Sequence, residues 1–411
     1  MQVMHSRCGG IDIGKDIVVV AVRLQEDATV KRTCRTFHTK HTDLIKLRDW
    51  LASLAITHVV MEATGSYWRS IWNVLEGHFE LTLANPTQVK NLPGRKSDVN
   101  DATWLSDLHA HGLIRGSFVP AGEITALREL TRTRKQLGRE VARHTLRIQK
   151  LLDVAGLKIT GPISEIPGVS GRRILKALIR GEKSPERLVD LVDPHVKASR
   201  QELIEALQGT LTPQQRRLLK MHLQLVENLE TAIQEIDSDI AKAVHPFRGL
   251  LTRIEEMPGF SAVSAPALIG EIGVDMSRFP SDAHIVSWAR LAPRLDESAG
   301  KVKSRRTLKS AAWIKTLMVQ AAWSAVRTKD SYFRAQFLRL RTRRGPQKAI
   351  VAVAASMLTI LYHMIREGTP FRDLGFHHQH RSPAHDDRIV RRSVARLKQL
   401  GYQVALTREV A

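Results

Sequence analysis

The sequence predicts an N-terminal α/β domain built on a mixed sheet with helices on both faces, a helical coiled-coil middle and a mainly helical C-terminal domain. Three observations predict it. Short β-branched runs alternate with helical periods over the first 115 residues, long helical periods follow over 123–155 and 213–244, and Pro-Gly turns then introduce further helices.

Each element has a local cause. GGIDIGKDIVVVAVRL, from Gly9, reads as a strand, a tight glycine turn and a second strand, and ATVKRTCRTFH as a third. TDLIKLRDWLASL has apolar residues at helical spacing behind a Thr or Asp cap. THVVMEATG is a short buried strand that ends at a carboxylate. SYWRSIWNVLEGH is helical, FELTLAN is a strand, and Lys96 to Leu113 is a helix. A hairpin followed by strand–helix–strand units gives a mixed sheet covered on both faces.

The helix from about 123 to 155 is basic, with Arg128, Arg132, Lys135 and Arg139 in its first half. Such a run is either a solvated face or a track for a phosphate backbone. In the next long helix Thr212 caps and Pro213 opens the first turn. Leu218, Met221, Leu225, Leu229, Ile233, Ile236 and Ile240 then recur as a coiled-coil or bundle seam, which requires a partner helix in this chain or another. EIPGVSGRRILKAL and EMPGFSAVSAPALIGEIG each set Pro-Gly before a helix, as a plain connection or as backbone N–H groups turned to phosphate. The expected division is 1–115, 116–250, 251–370 and a basic tail over 371–411.

Lys plus Arg number 63 against 41 Asp plus Glu in 411 residues, a net charge of +22. A nucleic-acid partner is the leading expectation, because neutralising phosphates releases counterions. From 301 to 348 fourteen basic residues face the single acid Asp330, interleaved with aromatics. A membrane is not expected: the apolar run Ala349 to Tyr362 is about 14 residues, short of a bilayer span. The opening MQVMHSRCGGIDIG reads as no signal peptide, and Cys8 and Cys34 make neither a disulfide framework nor a zinc quartet, as suits the cytoplasm. The histidines of FHHQHRSPAHDDR form a metal tract or, more simply, a polar linker.

Against this charge stand four acids. Asp12 lies in the first strand between isoleucines, where an uncompensated charge costs several kcal/mol. Glu62 ends a later strand, and Asp98 and Asp101 share a helix face three residues apart. One acid from the first strand, one from a later strand and a helical pair is the arrangement of an RNase H-like nuclease. Such a set suits two Mg²⁺ ions. GIDIGKD also resembles the first phosphate loop of sugar kinases and actin-like ATPases, but no second acidic-glycine loop follows. Further on, Ser298 and Gly300 precede Lys301, Lys303, Arg305, Arg306 and Lys309. No partner lies at triad spacing, so Ser298 is either a nucleophile or part of a bland loop.

These residues carry a resemblance. GIDIGKD, VVMEATGSYW, KSDVNDATWL, LRELTRTRKQL, PGVSGRRILKALIRGE, ESAGKVKSRRTLKS and AAWSAVRTKDSYF, in that order, resemble the insertion-sequence transposases of the IS one-ten (IS110) family, which are bridge-RNA-guided DNA recombinases. The resemblance implies a RuvC-like metal domain with Asp12, Glu62, Asp98 and Asp101 as Mg²⁺ ligands. It implies Ser298 as the nucleophile of a covalent phosphoserine intermediate, a homo-oligomer (dimer or tetramer) with sites shared between subunits, target and donor DNA, and a structured guide RNA. The basic residues around Ser298 and on the first long helix are then the nucleic-acid contacts, in a prokaryotic, nucleoid-associated protein. The chain departs from its relatives at Arg305, where glycine is common, and at Ser310 and Ala311, where Gly-Asn is common. The other readings are a hydrolytic RuvC-like endonuclease or Holliday-junction resolvase, and a non-catalytic nucleic-acid scaffold.

Overall fold

A computed structural model describes residues 3–26, 29–63, 65–84, 98–114, 116–120, 122–163, 166–293, 296–298, 301–304, 306–307, 313–376, 378 and 383–406. For 98–100, 296–298, 303 and 383–389 it describes the backbone alone. The chain divides into two compact units, Met1–Val119 and Pro120–Ala411.

The first unit is a five-stranded sheet in the order β3-β2-β1-β4-β5, made of β1 (Arg7–Ile13), β2 (Ile17–Glu26), β3 (Thr29–His38), β4 (His58–Glu62) and β5 (Glu80–Ala84). β1, β2 and β3 meander antiparallel, while β1 and β5 both run parallel to β4, so the sheet is mixed as expected. The first turn closes through Gly14 N–H donating to Ile17 O. Alternation sends Ile11, Ile13, Val18, Val20 and Val22 to one face. There they pack on α1 (His41–Ser53) and α2 (Trp68–Leu75) through Leu44, Leu47, Leu51, Ile71 and Leu75. The expected Thr or Asp cap of α1 is corrected: the helix opens at His41 behind Lys40, which makes no side-chain cap, and Asp43 in the first turn accepts from Lys46 instead.

The opposite face carries α3 (Asp98–Ala110). Ala102 packs on Val19 and Ala21, and Leu105 packs on Val60 and Ala84. α3 lies so close to β1 that a Cβ on Gly10 would stand 2.3 Å from Ala102 O and 2.6 Å from Ser106 N. Only glycine fits that approach. Asp107 is held by Arg32 through two hydrogen bonds, and buried Arg23 brings its Nε within 3.1 Å of the same carboxylate, a charge contact without hydrogen-bond alignment. Near the end of α3, His109 is buried against the rings of His5 and His58. Burial first, then those two imidazoles, pushes its pKa down to about 4.

The second unit is mostly helical. Two long helices, α4 (Gly122–Val154) and α6 (Pro213–Ala243), run against each other. α6 begins where the sequence places it, with a full capping box between Thr212 and Gln215 and Pro213 in the first turn. α5 (Val169–Arg180) and two short helices close a core around Ile148, Leu152, Ile174, Leu178, Leu219 and Leu223. The expected seam is corrected in its first half. Leu218, Met221 and Leu225 are exposed and Leu219, Leu223 and Val226 are buried in their place, whereas Leu229, Ile233 and Ile236 of the expected seam are half-buried and Ile240 is buried. Apolar residues cover a wide arc of this turn of helix, so two stripes fit the spacing, and the one facing α4 and α5 is taken.

Both Pro-Gly pairs do precede helices. Gly168 caps α5, and Gly259, at φ +99°, lies a few residues ahead of α7 (Ser264–Ile272). Beyond α7 come the short strands β6 (Asp296–Ser298) and β7 (Lys301–Ser304), then α8 (Trp313–Ala325), α9 (Tyr332–Arg344), α10 (Pro346–Glu367) and α11 (Pro383–Gln399). The apolar run noted in the sequence sits inside the 22-residue α10, which by length and composition alone is enough to cross a membrane. Its Val353, Met357, Leu361 and Tyr362 are buried among α8, α9 and the 282–288 helix, which is the packing of a core helix. Cys8 and Cys34 are both free thiols. Of the histidine tract only His378 has a described side chain, and its ring tilts against Tyr332.

Candidate functional site

Strand register builds the acidic site. The last register pair of parallel β1 and β4 is Ile11 with Met61, so the next step sets Asp12 beside Glu62 at the strand ends. Neighbouring strands are about 4.8 Å apart. Cys8 and Gly10 both meet α3, and Asp12, two residues further, shares their face. Val60 meets Leu105 of α3, so Glu62 shares that face as well.

α3 runs back along β1. Met4 N–H donates to Ala110 O, Cys8 Sγ donates to Ser106 O, and Gly10 lies under Ala102. Four helical residues rise about 6 Å and two strand residues about 6.6 Å, so the same step carries the first turn of α3 to the level of Asp12. Asp101 precedes the sheet-facing Leu105 by four positions, which places it on the stripe turned to the sheet. Asp12, Glu62 and Asp101 are half-buried. The side chain of Asp98 lies outside the described residues. Carboxylates are the hard oxygen donors that Mg²⁺ takes, so Asp12, Glu62 and Asp101 fit the ion by chemistry. Among the described residues, however, no three carboxylate, histidine or cysteine groups close on one point. The described trio shares an edge of the sheet without forming a finished cage.

Ser298 ends β6 and pairs with Lys301, the first residue of β7. Its side chain, that of Lys303, and residues Gly300, Arg305, Lys309, Ser310 and Ala311 lie outside the described residues. Lys301 and Arg306 are exposed. Behind the hairpin Lys315 of α8 donates to Thr307 Oγ1 at 2.9 Å, and burial, with Arg290 adding to it, holds the lysine pKa below its usual value.

The basic helix α4 is employed differently from the sequence expectation. Arg128 donates to Gly270 O and Glu271 O, both at 2.7 Å, closing the carbonyl end of α7. Arg132 forms a two-pronged pair of 2.7 and 2.8 Å with Glu271, which is only 5% exposed. Arg134 pairs with Asp237 on α6. Arg132 and Arg139 both lie over the Trp313 ring, at 5.3 and 5.2 Å. Lys135 donates to Gln320, and burial, then Arg139, lowers its pKa while Glu271 acts the other way. Arg128 and Arg132, expected as phosphate contacts, are engaged within the chain. Their guanidinium groups hold α4 to α7, and of that set Arg139 is the one exposed to solvent. Glu271 and Lys315 are the residues that sequence reasoning missed. The one available signal was a lone acid in the apolar run ALIGEIG.

A family model for the DEDD transposase domain of IS110 elements matches residues 9–156, and a second, for the IS116/IS110/IS902 transposase family, matches residues 251–338. The chain belongs to the IS110 family of transposases. The acids on β1, β4 and α3 thus fall inside the DEDD segment of this transposase, and Ser298 falls inside its second family segment. Among its relatives is the insertion element IS110 uncharacterized 43.6 kDa protein of Streptomyces coelicolor, 28% identical over 307 residues, covering 67% of this chain and 72% of the relative. Another is the pilin gene-inverting protein of Moraxella lacunata, 21% identical over 355 residues, covering 82% of this chain and 89% of the relative. A transposase or recombinase is the activity these matches support, and the kinase-like reading of GIDIGKD falls away.

Proposed function

We propose that the transposase is an RNA-guided DNA recombinase that cuts and exchanges strands through a phosphoserine at Ser298, with Asp12, Glu62, Asp98 and Asp101 holding two Mg²⁺ ions on an RNase H-like, RuvC-like domain. The observation that carries this reading is the register that seats Asp12 beside Glu62 under the start of α3, within the segment matched by the DEDD model. When bound, the ions supply positive charge to the attacking and leaving oxygens of phosphoryl transfer. The acids hold that charge at the sheet edge and keep it out of the surrounding basic surface. Ser298 loses its hydroxyl proton, its Oγ bonds to phosphorus as the bond to the departing deoxyribose oxygen breaks, and that oxygen takes up a proton. Reversal onto another strand end reseals DNA without ATP, because the serine ester keeps the phosphodiester energy.

Lys301, Lys303, Arg305, Arg306, Lys309, Arg139 and Lys135 are the candidate phosphate contacts near the serine. The long helices α4 and α6 serve as a coiled-coil spacer in a homo-oligomer whose subunits share sites, and the divisions at 115, 250 and 370 separate metal, spacer, serine and tail segments. Family resemblance supports the guide RNA, which selects target and donor DNA by pairing. Incubating the protein with donor and target DNA and resolving covalent protein–DNA adducts tests the chemistry: Ser298→Ala abolishes the adduct. Cleavage that persists unchanged in that variant makes the protein a hydrolytic endonuclease. Sequencing the RNA that co-purifies tests the guide, and the expected result is one discrete species encoded beside the gene.

A further inference from the structure

We propose that the corner where α9 turns into α10 is a docking site for the phosphate backbone of duplex DNA. The proposal rests on the DNA-recombinase reading above and gives it a binding surface outside the serine hairpin. Arg339, Arg341, Arg343, Arg344 and Lys348 are all exposed, and among the described residues none of them makes an ion pair. Between Asp330 and Glu367 the chain contains no acid at all. On α4, by contrast, Arg132, Arg134 and Arg143 are each answered by a carboxylate.

A helix end does favour cations, but its dipole amounts to about half a unit charge and balances less than one of them. Five charges within ten residues, without an ion pair among the described residues, repel each other and weaken the free protein. A polyanion relieves that repulsion. The site is also ordered in advance: Trp323 meets the Phe337 ring edge-on at 5.5 Å, and Arg341 lies over that ring at 5.9 Å. A guanidinium already held in place loses less rotamer freedom on binding. From Arg339 to Arg344 the helix rises about 7.5 Å, which matches about two phosphates at 3.4 Å of axis per strand.

The test is the salt dependence of binding to a blunt DNA duplex of arbitrary sequence, measured by fluorescence anisotropy on the full chain without divalent ions. The corner variant is Arg341→Gln with Arg343→Gln and Arg344→Gln. The control removes the same charge elsewhere on the second unit, by Lys183→Gln, Arg217→Gln and Lys220→Gln. The proposal expects the slope of log affinity against log salt to fall by about 2 in the corner variant only, since each lost phosphate contact contributes about 0.9. Arg→Lys at the same three positions keeps the charge and the slope, which separates lost contacts from lost folding. Equal slopes in corner and control variants overturn the corner while leaving DNA recombination standing. A corner effect seen with a single-stranded RNA oligonucleotide but not with the duplex overturns the assigned partner. A wild-type chain with no duplex affinity overturns both the corner and the recombinase reading.

Discussion

The two units hold their charged groups by different means. In the first unit, strand register sets Asp12 beside Glu62 at the ends of β1 and β4, and half-buried Asp101 lies on α3, which crosses the same face. In the second, the arginines of α4 find partners far along the chain, such as Arg128 with the carbonyls of Gly270 and Glu271. Carboxylates set side by side repel each other unless something neutralises them. Arginines that already have carboxylate partners indicate structure. The sign of a residue therefore says less about its role than whether the fold has already answered its charge.

That contrast can be broken experimentally. If the closeness of α3 to β1 sets the acid edge, Gly10→Ala must push the helix away, because backbone atoms at 2.3 and 2.6 Å cannot yield as a side chain does. Thermal or denaturant unfolding of that variant is expected to show a loss of more than about 3 kcal/mol, with cleavage reduced in the same sample. In the second unit, Leu219→Ala should cost about 3 kcal/mol, whereas Leu218→Ala should change stability by less than about 0.5 kcal/mol. Equal losses would restore the stripe expected from the sequence.

The sequence made the local features readable, and the structure shows why. The strand–turn–strand of GIDIGKD, the carboxylate closing VVME and the Thr212 capping box each depend on residues within a few positions, and all three stand as expected. The phase of α6 was not readable, because Leu218 and Leu219 are both apolar and only packing with α4 and α5 chooses between them. Nor was the work of Arg128 and Arg132, whose partners are 142 and 139 positions away. Composition marks both α4 and α9 as basic, and the tertiary partners show which arginines of α4 are already answered. Of the candidate site, the placing of Asp12 beside Glu62 was legible through strand order, whereas the side chains of Asp98 and Ser298 lie outside the described residues.

Two smaller effects sharpen the contrast. Glu271→Gln leaves Arg132 facing a neutral group at a half-open position, and an unfolding measurement is expected to lose about 2 kcal/mol, below the figure for a sealed pair. A matching charge removal at exposed Glu140 should lose less than about 0.5 kcal/mol. In the first unit His109 is held neutral, with a folded pKa of about 4 against 6.5 for the free group. The unfolded chain therefore binds the extra proton between those values, so stability is full above pH 6.5 and declines as pH falls toward 4. His109→Leu should flatten that decline in a pH series of melting temperatures. The wild-type difference between pH 7 and pH 5 from this group is about 2 kcal/mol at most.

The central claim is that carboxylates from β1, β4 and α3 act together on DNA. Strand cleavage of donor DNA by Glu62→Gln, measured beside the melting temperature of the same preparation, tests it most directly. The account predicts cleavage lowered by at least ~10²-fold with melting unchanged, since the substitution removes one ligand charge at the open edge of a sheet. Wild-type cleavage in that variant would contradict it.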